Sequence, residues 1–432
     1  MFLAIAAGVI TVAVFVAIVR RVEVRLALLT GGLAMAVLSL NPQAWSNAFL
    51  SGMTISGLIT VILPVMGFAA VMELTGCDRH LVHLVTRPLS RVGPFLVPGA
   101  MLATFVINTA LPSAAGCAAA VGVVLIPTMM AAGVHPALAA AAVLAGTWGS
   151  IFSPGSAHPA VIADISKVSV MDVILAHRAA TIPAMLLIAA LLFAESLVLH
   201  EGAGASRRPV RTIAGGSVDT TVSAPRIDVV RALIPMVPLA LLLLTVPQFH
   251  LTTRWLPGGF SVLEAMTIGV FLGMLVTMMS PTKVTQSFFD GMGRAYGNVM
   301  GIIIAATVFV GGLDAAGGIK ALIAAMTSVK WAVPVAGTWG PMLLAVLSGS
   351  GDAATLAFNK AVTIHAAQFG ISPVALGNLA WIGGALGRSM SPVAAAAIIA
   401  AGFAKVSPFE LAKRNAVPMV AAAVLTMMVL GR

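Results

Sequence analysis

Leu347 to Lys360 read Leu-Ser-Gly-Ser-Gly-Asp-Ala-Ala-Thr-Leu-Ala-Phe-Asn-Lys, a polar, glycine-broken run inside an otherwise apolar region. Near the front of the chain Asn108 to Gly116, Asn-Thr-Ala-Leu-Pro-Ser-Ala-Ala-Gly, is its counterpart. Both put small and polar residues where a plain membrane helix would carry Leu, Ile and Val. Facing one another, the two breaks would form a binding site.

The surrounding chain is 59% apolar and 9% charged, with a mean hydropathy of +1.05. A soluble domain would carry about 25% charged residues, so that class is excluded. Apolar runs of roughly 20 residues match a helix crossing about 30 Å of hydrocarbon, whereas a barrel would show short alternating strands. The expected fold is therefore all-α, a polytopic membrane protein of about ten crossing helices. Crossings are expected at 2–19, 24–40, 54–75, 136–170 with a break, 178–199, 229–249, 260–280, 294–313, 372–404 with a break, and 415–431. The stretches 94–132 and 335–370 carry the two quoted breaks and are expected as re-entrant hairpins.

The formal charge of +10 comes from basic residues scattered through short loops, with no stripe interleaved with aromatics, which argues for membrane topology and against a nucleic-acid partner. Cys77 and Cys117 offer neither a disulfide framework nor metal-ligand spacing. Met1 to Val19 lacks a basic segment ahead of its apolar run and is expected as an uncleaved first helix. With the N-terminus outside and both hairpins returning to their own side, the basic loops at 20–25, 79–91, 207–231, 283–294 and 405–414 fall in the cytoplasm. Lys167, Arg178, Arg254, Lys320, Lys330 and Arg432 fall outside, the asymmetry of the positive-inside rule. Trp45, Trp255 and Trp331 then lie at the outer loops, as interfacial anchors or as ordinary loop packing.

Glu201 to Asp228 is rich in Gly, Ser, Thr, Pro and Arg and reads as a cytoplasmic linker between two halves. Phe49-Leu-Ser-Gly-Met53 recurs as Phe288-Phe-Asp-Gly-Met292, and Glu73-Leu-Thr-Gly76 as Asp314-Ala-Ala-Gly317. Ser113 and Ser350, and Pro136 and Pro373, share one offset of 237 residues. Gly146 to Pro154 is likewise answered by Gly383 to Pro392. Five matches in one order make an internal repeat. The first unit is 1–200, with a cytoplasmic-side hairpin at 94–132 and a broken helix at 136–170. The linker is 201–228, and the second unit, 229–432, has an outer-side hairpin at 335–370 and a broken helix at 372–404. An odd number of crossings before the second unit inverts it, the plan of secondary transporters whose sites lie where discontinuous helices meet.

Broken backbone at membrane depth is tolerated only inside protein or along a water-filled cavity. The breaks at Asn108 to Gly116, Ser153 to His158, Ser348 to Thr355 and Gly387 to Pro392 therefore imply an internal polar cavity. Helix N-termini at such breaks present free N–H groups to a carboxylate, which points to an anionic organic substrate. Asn108, Thr109, Ser113, Ser153, Ser350, Thr355 and Ser391 are candidate substrate contacts; the plainer role for such residues is capping and close helix approach. Arg388 is the candidate fixed countercharge, or else a partner for Asp352 or a carbonyl end. Asp352 is too costly at membrane depth to lack a partner or a function, and is either a proton carrier, a Na+ ligand or an N-cap. His158 and Asp164 are candidates for a proton path, and a Na+ would sit near Asn108, Ser113, Ser350 and Asp352. Motifs for zinc hydrolysis, nucleotide binding and serine hydrolysis are missing, which argues against an enzyme and against any cofactor beyond a coupling H+ or Na+.

The motifs Asn108 to Gly116, Gly146 to His158, Leu347 to Thr355 and Gly383 to Pro392 resemble those of the anaerobic four-carbon-dicarboxylate carriers of the Dcu C type, in the ion transporter superfamily. The resemblance runs from about Ala44 to the end. It implies an inner-membrane symporter or exchanger of succinate, fumarate or malate, often a homodimer, with paired opposed hairpins and a transport part moving against a scaffold. It carries the site onto Asn108, Thr109, Ser113, Ser350 and Thr355, while Asp352 departs from the small neutral residue expected there. The alternatives are a carrier of another organic anion or of an amino acid, and an anion channel through the same cavity.

Overall fold

The computed structural model describes residues 2–20, 22–86, 93–203, 227–244, 260–321 and 332–431. Helices are the regular structure throughout these residues, and no strand occurs among them. Seven helical spans are long and apolar enough to cross a membrane, and six shorter apolar helices accompany them. Residues 204–226 of the expected linker, Trp255, Trp331, Arg254 and Lys330 lie outside the described residues.

Three amphipathic helices were not anticipated. Pro42–Met53, Cys77–Thr86 and Pro281–Ala295 carry polar residues at helical spacing and so escape a search for apolar runs. The first and third open on a proline in the first turn, where a missing N–H costs nothing. The crossing expected to start at 294 is the continuation of the third: Pro281–Ala295 passes through a π-turn at Tyr296–Met300 straight into Gly301–Ala315. The crossing expected at 229–249 is interrupted after Val229–Leu233 by a 3-10 turn at Ile234–Met236, where Pro235 withholds its N–H, before Val237–Leu244.

Each hairpin is two helices around a short tip. The first pairs Leu96–Ala110 with Ala114–Ala131, and the second pairs Ala332–Ser348 with Gly351–Ala361. The tips are shorter than expected, since Asn108 and Thr109 still belong to the incoming arm and Thr355 to the outgoing one. The first broken helix is Pro136–Gly146, a 3-10 turn at Gly149–Phe152, and Ala157–Ser166, with Val170–Ala176 a separate helix. The second is Pro373–Ser389 and Ala395–Ala404. Its break lies beyond Ser389, so Arg388 stands in the last helical turn and not within the break.

Equivalent backbone features recur down the chain. Left-handed residues pair as Leu40 with Met278, Gly76 with Gly317, Gly133 with Gly370, and Lys167 with Lys405. Glycines set the contact of hairpin and broken helix in both places. A Cβ on Gly146 would lie 2.5 Å from the Met101 carbonyl, and one on Gly149 would overlap that of Phe105. Cβ atoms on Gly383 and Gly387 would overlap the carbonyls of Thr338 and Met342 in the same way. Small residues at these crossings let backbones touch where lipid supplies no driving force for helix association.

The largest buried cluster joins both broken helices and the first hairpin to Arg178–Val198 and Pro408–Leu430, with Met342 from the second hairpin. We refer to this assembly as the hairpin body. Separate clusters hold Ser56–Thr75 against Val262–Thr277, and Phe2–Val19 and Val24–Leu38 against Gly301–Ala315. These form the flanking scaffold.

Candidate functional site

The two tips meet at a cavity of about 290 Å³. That is close to the lower end, about 300 Å³, of ordinary small-molecule sites. Its polar lining comes from the hairpin body: Ser113 and Ser350 from the tips, Ser150, Ser156 and His158 from the first broken helix, Asp352 from the second hairpin and Arg388 from the second broken helix. The scaffold contributes Met66, Val299 and Ile302, all apolar. Met66, Pro112 and Ser113 also line a vestibule of about 580 Å³ whose other walls carry Glu73, Asp78, Arg79, His83 and Arg294.

Ser113 and Ser350 cap the outgoing arms. The Ser113 hydroxyl accepts from the Gly116 N–H at 3.1 Å and that of Ser350 from the Ala353 N–H at 3.3 Å. Accepting leaves each O–H free to donate, so a capping serine can also face a carboxylate. Because Ser350 is the cap, Asp352 sits one residue into the first turn, and the N-cap role considered for it falls to Ser350.

Asp352 points into the cavity with 63% of its side chain exposed there, and its Oδ1 lies 3.0 Å from His158 Nε2. His158 is only 4% exposed. The pair bridges positions 194 residues apart and links the second hairpin to the first broken helix. Arg388 donates from Nη2 to the Thr147 carbonyl at 2.8 Å, at the broken end of Pro136–Gly146. Its buried Nε has no hydrogen-bond partner among the described residues. One end of the guanidinium thus closes a helix terminus while the same side chain lines the cavity.

The remaining candidates stand behind the cavity wall. Asn108, fully buried, donates to the Leu111 carbonyl at 2.8 Å and accepts from the Ser150 N–H at 2.7 Å, fixing the first tip to the broken helix. Thr109 donates to the Phe105 and Gly149 carbonyls. Ser153 accepts from the Gly155 N–H. Ser391 donates to the Val346 carbonyl at 2.7 Å, and Thr355 to that of Ala380 at 3.2 Å. Asp164 lies apart, paired at 3.4 Å with the exposed Lys167. The Ser113, Ser350, Asp352, His158 and Arg388 set is brought together; Asn108, Thr109, Ser153, Thr355 and Ser391 support it; Asp164 is not part of it. Ser150, Ser156 and the three scaffold residues were not anticipated, and only the Ser-Pro-Gly-Ser run from Ser153 signalled that this break extends to Ser156.

The sequence profile of the C4-dicarboxylate anaerobic carriers, DcuC, matches residues 3–431. The chain belongs to this family. It is thus one of a family of carriers, not enzymes. An uncharacterized transporter of Haemophilus influenzae is 39% identical over 287 residues, which covers 63% of this chain and 97% of that one. The anaerobic C4-dicarboxylate transporter DcuC of Escherichia coli K12 is 29% identical over 386 residues, 84% of this chain and 78% of that one. The crystal structure of the YdaH transporter of Alcanivorax borkumensis, described as having an unusual topology, has a similar fold, with a TM-score of 0.61 over 89% of this chain and 86% of that one at 18% identity. The protein is accordingly a multi-pass membrane transporter of the DcuC family.

Proposed function

We propose that the protein is an ion-coupled secondary carrier of C4 dicarboxylates such as succinate, fumarate and malate, working by alternating access in the bacterial inner membrane. One observation carries this reading: the polar lining of the cavity belongs to the hairpin body, and the scaffold side is apolar. A substrate held by such a wall travels with the hairpin body, since the scaffold offers no competing polar contact. The Ser113 and Ser350 hydroxyls and the Arg388 guanidinium supply donors, and the outgoing helix N-termini add their positive dipole ends. Asp352 is the coupling group, loaded by H+ or Na+, with His158 beside it. Paired left-handed residues and matched glycine contacts support two repeats, and the odd number of crossings expected from the sequence before the second would invert it. With the N-terminus outside, the vestibule bearing Arg79 and Arg294 faces the cytoplasm.

Purified protein in proteoliposomes tests the reading. Saturable counterflow of radiolabelled succinate, fumarate or malate is expected, and currents far faster than conformational cycling would identify a channel instead. If none of the three acids accumulates or exchanges while another organic anion or an amino acid does, the substrate assignment is wrong. Arg388→Ala is expected to raise the half-saturating concentration at least about tenfold, the equivalent of a lost charge-assisted hydrogen bond of about 1.5–3 kcal/mol.

A further inference from the structure

Behind the wall that carries His158, three elements converge on the Trp381 indole of the second broken helix. The rings of His158 and His177 each have their centroid 5.6 Å from it, tilted by 32° and 90° respectively. His158 turns Nε2 to Asp352, and its buried Nδ1 has no partner among the described residues. His177 is fully buried between Val170–Ala176 and Arg178–Val198; its Nδ1 lies 2.8 Å from the Thr181 hydroxyl, and its Nε2 is likewise unpartnered. Asn378, one turn before Trp381, donates to the Val173 carbonyl at 3.0 Å and leaves a buried Oδ1 unpartnered. Buried polar groups are almost always hydrogen-bonded, and where protein atoms do not serve, internal water does. Three such atoms stand on the elements around one indole, and of the three residues only His158 also lines the cavity.

We propose that His177 and His158, joined by internal water beside Asn378, form a proton route that enters at the face opposite the vestibule and ends on Asp352, apart from the path of the substrate. The inference rests on the carrier reading and names the proton as the coupling ion. Each imidazole takes up a proton at one ring nitrogen and releases one from the other: His177 passes it from Nε2 through water to His158 Nδ1, and His158 delivers one from Nε2 to Asp352 Oδ1. The charged groups around this line are few. Arg388 comes from the second broken helix and Asp352 and Lys360 from the second hairpin. Asp164 of the first broken helix is paired with Lys167, and exposed Asp172 and Arg178 flank His177 along the chain. The 3-10 turn contributes the Phe152 ring, 5.2 Å from His177, and the Ile151 backbone beside the imidazole.

The test uses proteoliposomes with a pH-sensitive dye in the lumen and radiolabelled succinate. His177→Gln keeps a hydrogen-bonding side chain but cannot carry a proton. It is expected to leave succinate counterflow within about twofold of the parent protein while the lumenal pH change per succinate, and accumulation driven by a pH gradient, fall at least about tenfold. An unchanged proton-to-succinate ratio in H177Q overturns the route. Should H177Q lose counterflow as well, Asn378→Leu, which keeps both histidines and removes a water partner, decides by the same ratio: a tenfold fall supports the route and no change overturns it. Parent protein that moves succinate with no lumenal pH change overturns the route and leaves the carrier standing. Parent protein that moves no dicarboxylate brings down both.

Discussion

Asp352 is an acid inside a proposed anion site, and its environment accounts for this. His158 stands 3.0 Å from one oxygen and Arg388 lines the same cavity, so the local charge can be balanced while the side chain stays open to the cavity. Neutralising it by Asp352→Asn preserves the size of the side chain and the Ser350 cap. The variant is expected to retain counterflow but to lose dependence on any cation gradient, measured as the ratio of gradient-driven uptake to exchange. A ratio equal to that of the parent protein would remove Asp352 from coupling. Ser391 makes the contrasting case: it stands behind the cavity wall, and its hydroxyl serves the Val346 carbonyl and the Val393 N–H. Ser391→Ala leaves the part-buried Val346 carbonyl unpaired, at up to about 1–3 kcal/mol. The expected outcome is a lower melting temperature in detergent with an almost unchanged half-saturating concentration. A raised half-saturating concentration at unchanged stability would instead make Ser391 a substrate contact.

At the scale of elements, the two hairpins share their caps and differ at their tips. The first turns through Pro112 and the second through Gly349, which has φ +75. Alanine at 349 would be strained in that backbone, and its Cβ would stand 2.8 Å from the Val393 carbonyl oxygen and 2.9 Å from the Ala394 nitrogen. Gly349→Ala is therefore expected to displace the second tip from the restart of the broken helix and to reduce transport at least about tenfold. Alanine at 133, left-handed as well but remote from the tips, is the control, and equal loss in both would show that backbone strain alone is responsible. These tips were legible in the sequence because glycine, proline and serine interrupting an apolar run free backbone groups that lipid cannot satisfy, which places the break inside protein or beside water. The amphipathic helices were not, because Pro42–Met53 and Pro281–Ala295 pack narrow faces of small and apolar residues and leave polar ones exposed between them, a pattern that apolar-run counting passes over. The His158 and Asp352 pair and the Arg388 bond to Thr147 were illegible for a different reason: they join positions 194 and 241 residues apart, beyond any local periodicity.

For the whole molecule, the arrangement of buried clusters has a mechanical consequence. The hairpin body and the scaffold helices each have a large core of their own, and a smaller cluster joins them, in which Leu58, Ile62, Met300 and Ile303 of the scaffold pack on Ala160, Val161 and Leu356, so a shift of one against the other re-seats only these apolar contacts. The seam between them passes through the cavity, where Met66, Val299 and Ile302 oppose the tips. Apolar side chains suit such a seam, since sliding breaks no hydrogen bond there. Transport by this movement requires that a covalent tie across the seam stop it. Met66 and Ala115 line the cavity from opposite sides, and the free cysteines Cys77 and Cys117 are both buried. With those two replaced by alanine, a Met66→Cys/Ala115→Cys double variant joined by a flexible bis-methanethiosulfonate, which forms a reducible disulfide with each thiol and releases sulfinate, is expected to lose succinate exchange and to regain it on reduction. Each single variant treated alike controls for simple blockage of the cavity by the reagent. Exchange that persists after complete cross-linking would mean that the hairpin body does not move, and that access changes by the tips opening alone.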